Sequence, residues 1–186
     1  VSALSTYDDP RVIPALIEIF RKQTQELSRQ WTMLTLNRLE VSDDFYLPLL
    51  HDKDEMIRIG AAYGLAKRGN KQGIPQLLTG LNNLKLGSPR KDTIGFFIPK
   101  IAQAFILLQD KSVVPALIAA LDYSNGDSGV CAALGKLGDK RAVPVLIKHL
   151  KLQRHWKQEG IIIALGELGD ARALPYLEEI ARRDTT

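Results

Sequence analysis

The chain has one cysteine, Cys131, and three histidines, His51, His149 and His155, among 186 residues. A lone cysteine excludes an internal disulfide framework and any CxxC metal or redox motif. No histidine is followed by glutamate, and His149 and His155 stand six apart across an expected helix end, poor geometry for a shared metal. All three are expected at the surface, and neither metal nor cofactor is expected. The longest strongly apolar stretch, residues 160–166, is far too short to cross a bilayer. No basic segment with an apolar core opens the chain, so the expected location is cytoplasmic. It begins at Val1 rather than Met, which suggests processing or a piece of a longer array. No alternating apolar–polar runs lie between hairpin turns, so strands are not expected. The charge excess is small, 25 Lys plus Arg against 21 Asp plus Glu, whereas a chain that coats nucleic acid would show a larger and more clustered one.

What is present is a repeat. "LGKLGDKRAVPVLIKHL" (134–150) recurs as "LGELGDARALPYLEEI" (165–180), aligning Asp139 with Asp170, Arg141 with Arg172 and Pro144 with Pro175. The same Asp or Asn five residues before Pro occurs as Asp9/Pro14, Asp43/Pro48, Asn70/Pro75 and Asp110/Pro115. The proline intervals of 34, 27, 40, 29 and 31 residues average about 32, within the range of helical solenoid repeats.

The residue types have a physical reason to be there. A short polar side chain accepts hydrogen bonds from the free N–H groups that open a turn or helix. Proline fits the first helical turn, where its missing N–H has no intrahelical partner. Apolar residues follow at helical spacing, Leu117, Ile118 and Leu121 in one copy and Leu146, Ile147 and Leu150 in another. These are second helices. First helices are expected at 29–39, 55–68, 96–109, 129–137 and 160–168, with Gly69, Gly138 and Gly169 ending three of them in the left-handed conformation. Recurrence of Asp139 and Asp170 with the repeat points to turn stabilisation rather than acid–base chemistry, and recurrence of Arg141 and Arg172 to a ladder of Asp–Arg contacts between repeats. Cys131, between Val130 and Ala132 on a first helix, is expected to be a small buried hydrophobe. "LGKLGD" and "LGELGD" end helices rather than follow strands, so they are not phosphate loops.

The motifs "ALGKLGDKRAVPVLIKHL" and "ALGELGDARALPYLEEI" resemble the HEAT-like repeat of phycobilisome lyases and related proteins, closely over 129–186, well over 55–81 and 107–121, and more weakly before residue 50. The resemblance implies an all-α fold, an α-α superhelix of about six helix-pair repeats making a single domain over 1–186. Hydroxylases built on this repeat carry His-Glu pairs that are absent here.

Three departures attract attention. The 40-residue interval contains "NNLKLGSPRKDTIG" (82–95), expected to be an inter-repeat loop whose Lys85, Arg90 and Lys91 either do nothing or touch a partner. A second basic cluster, Lys148, Lys151, Arg154 and Lys157 around Trp156, is either a solvated helix end or a contact for an acidic protein surface. The last copy carries an apolar stripe of Leu174, Leu177 and Ile180, suggesting an end covered by another chain or domain or by polar loops. Three functions remain open: a non-catalytic scaffold that binds a protein partner, a bilin lyase-like subunit handling a tetrapyrrole, and nucleic-acid binding through the basic patch. Of these the scaffold is the leading expectation.

Overall fold

The computed structural model describes residue 9 and residues 11–85, 91–124, 127–152 and 158–183, with the backbone alone at 84–85 and 91–96. Eleven α-helices follow one another among these residues, and none of them forms a strand. They are α1 (Val12–Lys22), α2 (Glu26–Leu36), α3 (Asp43–Tyr46), α4 (Glu55–Lys67), α5 (Ile74–Lys85) and α6 (Lys91–Leu108), then α7 (Val114–Ser124), α8 (Ser128–Leu137), α9 (Val143–Leu152), α10 (Glu159–Leu168) and α11 (Leu174–Arg183). Among the described residues no helix is long and apolar enough to cross a membrane.

The repeated polar residue and proline do what their chemistry predicts. Asn70, Asp110, Asp139 and Asp170 each accept the N–H of the residue two positions on, at 3.0 Å. This cap holds a three-residue 3-10 turn, which runs directly into α5, α7, α9 or α11. Pro75, Pro115, Pro144 and Pro175 are each the second residue of the α-helix that follows. Asp9 caps in the same way, accepting the Arg11 N–H at 2.9 Å. A cap of this kind contributes about 1 kcal/mol. Gly69, Gly138 and Gly169 do end their helices with φ of +75°, +65° and +56°, and Gln109 takes the same role at +49°.

Four expectations need correcting. The second copy breaks the pattern, because Asp43 opens α3 and Pro48 lies in a separate 3-10 helix, Leu47–His51. The Asp43 carboxylate accepts from Arg68 Nε at 2.7 Å and Asn70 Nδ2 at 2.8 Å, joining neighbouring repeats instead of capping its own. The expected loop over 82–95 is narrower at both ends, since α5 continues to Lys85 and α6 begins at Lys91, and residues 86–90 lie outside the described residues. The Asp–Arg contacts do not run between repeats: Arg141 folds back onto Asp139, and Arg172 onto Asp170, two residues away. Two residues is the shortest reach to a carboxylate already fixed by its cap. The Arg172 guanidinium also reaches the preceding repeat, donating to the Lys140 carbonyl at 3.2 Å. The fourth concerns His149, which is buried and not at the surface.

The chain divides into two compact units, residues 1–77 and 78–186. In the first, α2 packs on α1 and α4, and α4 packs on α3 and both flanking 3-10 segments. Its core includes Phe20, Met33, Leu36, Tyr46, Ile57 and Leu65, all under 3% exposed. Arg29 joins core and surface by stacking over the Phe20 ring at 4.8 Å and pairing with Asp52 at 2.6 Å. In the second unit α8 lies between α6 and α10, with α7 on α8 and α9 on α10. Ile101, Phe105, Leu117, Leu121, Cys131, Leu134, Leu146 and Leu165 fill the space between them. Cys131 is therefore the buried hydrophobe expected. Burial, with the Asp127 charge adding to it, pushes its thiol up to about 12.

Candidate protein-binding groove

Helices α7, α9 and α11 share one sequence pattern, so their equivalent positions can be compared. Leu117 and Leu146 are fully buried, and Ile118 and Ile147, one residue later, are half-buried. Pro115, Pro144 and Pro175 are all exposed. A proline capped by the preceding Asp thus puts an apolar ring on the surface once per repeat. Between α9 and the turn leading into α11 this surface is concave, forming a groove of about 450 Å³ lined by Val143, Pro144, Ile147, Arg172, Pro175 and Tyr176. Tyr176 stands where α9 has Val145 and α7 has Ala116, so the aromatic ring of the groove is particular to the last repeat.

Cations surround the apolar floor. Lys151 Nζ sits over the Tyr176 ring at 4.3 Å, a cation–π contact. Lys148 Nζ lies 3.2 Å from Asp122 on α7, and both side chains are largely exposed. Hydrogen bonds from Lys148 and then His149 hold the Asp122 carboxyl below the usual carboxylate range. Arg141 and Arg172 are bound by their own cap residues. The Arg141 side chain, assisted by its backbone N–H, brings the Asp139 carboxyl down to about 2, and Arg172 lowers Asp170 by the same means. Both aspartates are consequently ionised at any physiological pH. Lys151 makes no ion pair with any described residue, whereas the Lys140 charge acts on Asp170 and helps to lower its carboxyl.

His149 is not a surface histidine. It is 5% exposed, with Nε2 3.0 Å from Asp122 Oδ1 and a buried Nδ1 that has no partner. The difference follows from its register: it stands at the position of Ala120, which faces the core, while Lys148 and Lys151 fall on the outer side. Of the sequence-selected residues, Lys148 and Lys151 come together on α9 beside the groove. Arg90, Arg154, Trp156 and Lys157 lie outside the described residues, and Lys85 and Lys91 are described in backbone only, as helix ends. No group of three metal-ligating side chains assembles among the described residues.

The groove itself was not singled out in the sequence, where charge clusters drew attention away from apolar residues. The available signal was the aligned outer positions, where a tyrosine replaces small residues and prolines recur at the surface. Comparison with known proteins agrees with this geometry where it is most regular. The family profile for HEAT repeats matches residues 114–186, the span holding α7 to α11. Two curated relatives, Protein YibA of Escherichia coli strain K12 and Protein YibA of Escherichia coli O157:H7, are each 28% identical over 139 residues. The match covers 73% of this chain and 45% of each relative, so the chain spans less than half the length of the relatives it matches. Profile, helix order and capped turns agree: the described residues form an all-α helical-repeat fold, and residues 114–186 are similar to HEAT repeats.

Proposed function

We propose that this protein is a non-catalytic scaffold that holds an acidic segment of a protein partner in the groove between α9 and α11. One observation carries the reading, an apolar floor of Pro144, Ile147 and Pro175 with a tyrosine at its edge and cations around it. The arrangement follows the usual division of labour in interfaces, with an apolar centre supplying affinity and a charged rim supplying orientation and rate. An acidic partner fits because Lys151, at the edge of the groove, makes no ion pair with the protein's own described carboxylates. The floor asks for an apolar or aromatic anchor within the acidic segment. The basic residues of 148–157 and of 85–91 are taken into this reading as a wider attractive field.

The tetrapyrrole and nucleic-acid readings have less support. The HEAT repeat match is not specific to phycobilisome lyases. Of the described cations of the basic patch, Lys148 is already paired with Asp122, which leaves Lys151 alone to meet a phosphate.

Selection from an unbiased displayed-peptide library tests the scaffold. Enriched peptides should be acidic with one bulky apolar residue, and their binding should weaken as salt rises. Ile147→Asp, at a half-buried position, should abolish capture, whereas Glu159→Lys on α10 should leave it unchanged. Enrichment of basic or uncharged peptides, or peptides indifferent to Ile147→Asp, would overturn the proposal, as would a library that yields none.

A further inference from the structure

The second repeat reverses direction differently from the others. Elsewhere two or three residues separate a first helix from the 3-10 turn that follows; here six, residues 37–42, separate α2 from α3. This longer connection is held by α4 rather than by a cap. Lys67 Nζ donates to the Asn37 carbonyl at 2.7 Å, and Asn37 Nδ2 donates to the Gly60 carbonyl at 2.9 Å. Between the connection and the end of α4 the structure leaves a cavity of about 210 Å³, to which Asn37, Leu39, Glu40, Val41, Lys67 and Arg68 contribute.

The polar groups of this cavity are not matched to one another. Lys67 and Arg68 bring positive charge and Glu40 negative charge, yet Glu40 makes no ion pair with any described residue. Lys67 spends one N–H on the Asn37 carbonyl and keeps two. Arg68 commits Nε to Asp43 at 2.7 Å, leaving its terminal N–H groups. Asn37 is 5% exposed, and its Oδ1 accepts no hydrogen bond. A buried acceptor without a donor is unfavourable, and this one lies beside Gly64 and Tyr46 at the inner wall of the cavity. Leu39 and Val41 add an apolar wall.

We propose that this cavity binds a small zwitterion of the α-amino acid type. Its carboxylate meets Lys67 and Arg68, its ammonium is taken by Glu40 on the Asn37 side, and a short aliphatic side chain lies against Leu39 and Val41. Opposite charges that line one small space without pairing with each other match a ligand that carries both. The volume is below the 300–1,000 Å³ of sites for drug-sized ligands, which favours a small ligand. The site lies in the first compact unit, remote in sequence from the α9–α11 groove, and does not depend on the scaffold reading.

The test is calorimetric titration of the whole chain with each of the twenty free amino acids. Parallel arms use the N-acetyl derivative, which lacks the ammonium, the amide, which lacks the carboxylate, and glycine betaine, whose nitrogen has no proton to donate. Saturable binding of one or more aliphatic amino acids is expected, weakened at least about tenfold in every parallel arm. Glu40→Gln should weaken it by a similar factor while leaving the melting temperature unchanged, because Glu40 makes no ion pair within the described residues. Lys67→Arg should retain binding better than Lys67→Met. Absence of saturable binding up to on the order of 10 mM, or equal binding of acetylated and free forms, overturns the proposal.

Discussion

Gly73 is where the packing of the repeats can be tested most sharply. It occupies the place before the second helix where the later repeats carry Val113, Ala142 and Ala173. Its backbone presses against α4, so that a Cβ would stand 2.6 Å from both Cα and Cβ of Ala62. Carbon atoms pack at about 3.5–4.0 Å, so roughly 1 Å must be opened. The opposing atoms belong to a helix backbone and a methyl group, neither of which has a rotamer to change. Overpacking of this kind costs about 1–3 kcal/mol. Gly73→Ala also reduces the freedom of the unfolded chain, which returns about 0.4–1 kcal/mol. Net destabilisation of about 1–2 kcal/mol is expected.

Gly138 provides the comparison, because its difficulty is of the opposite kind. Nothing lies within 4 Å of a Cβ built there, but φ is +65°. Gly138→Ala should cost about 1 kcal/mol through backbone strain alone. The two mechanisms separate on asparagine, which tolerates the left-handed region. Gly138→Asn should recover much of the loss, as Gln109 at φ +49° shows that the turn accepts a side chain. Gly73→Asn should be worse than Gly73→Ala, because the added atoms meet the same helix. Urea unfolding at equilibrium measures all four variants. A neutral or stabilising Gly73→Ala, or an asparagine that helps at position 73 and harms at 138, would refute the assignment of crowding to one glycine and strain to the other.

Burial of Cys131 should leave it unlabelled by thiol reagents at pH 8 until the protein unfolds, and rapid labelling of the folded protein would contradict the packing. Asp52→Asn removes one charge from a pair whose side chains are 15% and 11% exposed, and should cost about 2–3 kcal/mol by denaturation. Glu178→Gln, in the exposed pair with Arg182, should change stability by less than about 0.5 kcal/mol. Asp9, Asp43, Asp52, Asp122, Asp139 and Asp170 all have carboxyls lowered in the folded state. Their stabilisation is therefore complete above the unfolded value of about 4 and lost as pH falls through the folded values, near 2 for Asp139. The urea midpoint should hold from pH 7 to about 4.5 and then fall, and a midpoint that rises between pH 4 and 2 would oppose the sign.

The fold was legible because its decisive residues act locally. An aspartate two residues before an N–H, a proline in a first turn and a glycine at positive φ each need only their neighbours, so spacing alone located them. Errors arose where a side chain answers to something distant. Asp43 resembles the other caps in sequence but is claimed by Arg68 and Asn70. His149 reads as a charged-face residue among lysines, yet helical phase turns it onto the core. Residues 82–85 and 91–95 flank turn formers in the sequence and are nevertheless helical, as the ends of α5 and α6.

The candidate sites were less legible for a related reason. A repeat advertises what its copies share, and shared residues here serve turns and core. Function has room only at positions where copies differ, such as Tyr176 against Val145 and Ala116, or the six-residue connection at 37–42 against the shorter ones elsewhere. Both differences leave concave surface, one apolar with a cationic edge and one with unmatched charges. The capped turns make such divergence inexpensive: each repeat is fixed by bonds within its own turn, so an outer residue can change without disturbing the next repeat. Variation confined to the outer face of a locally stabilised unit is what allows one fold to hold different ligands at different repeats.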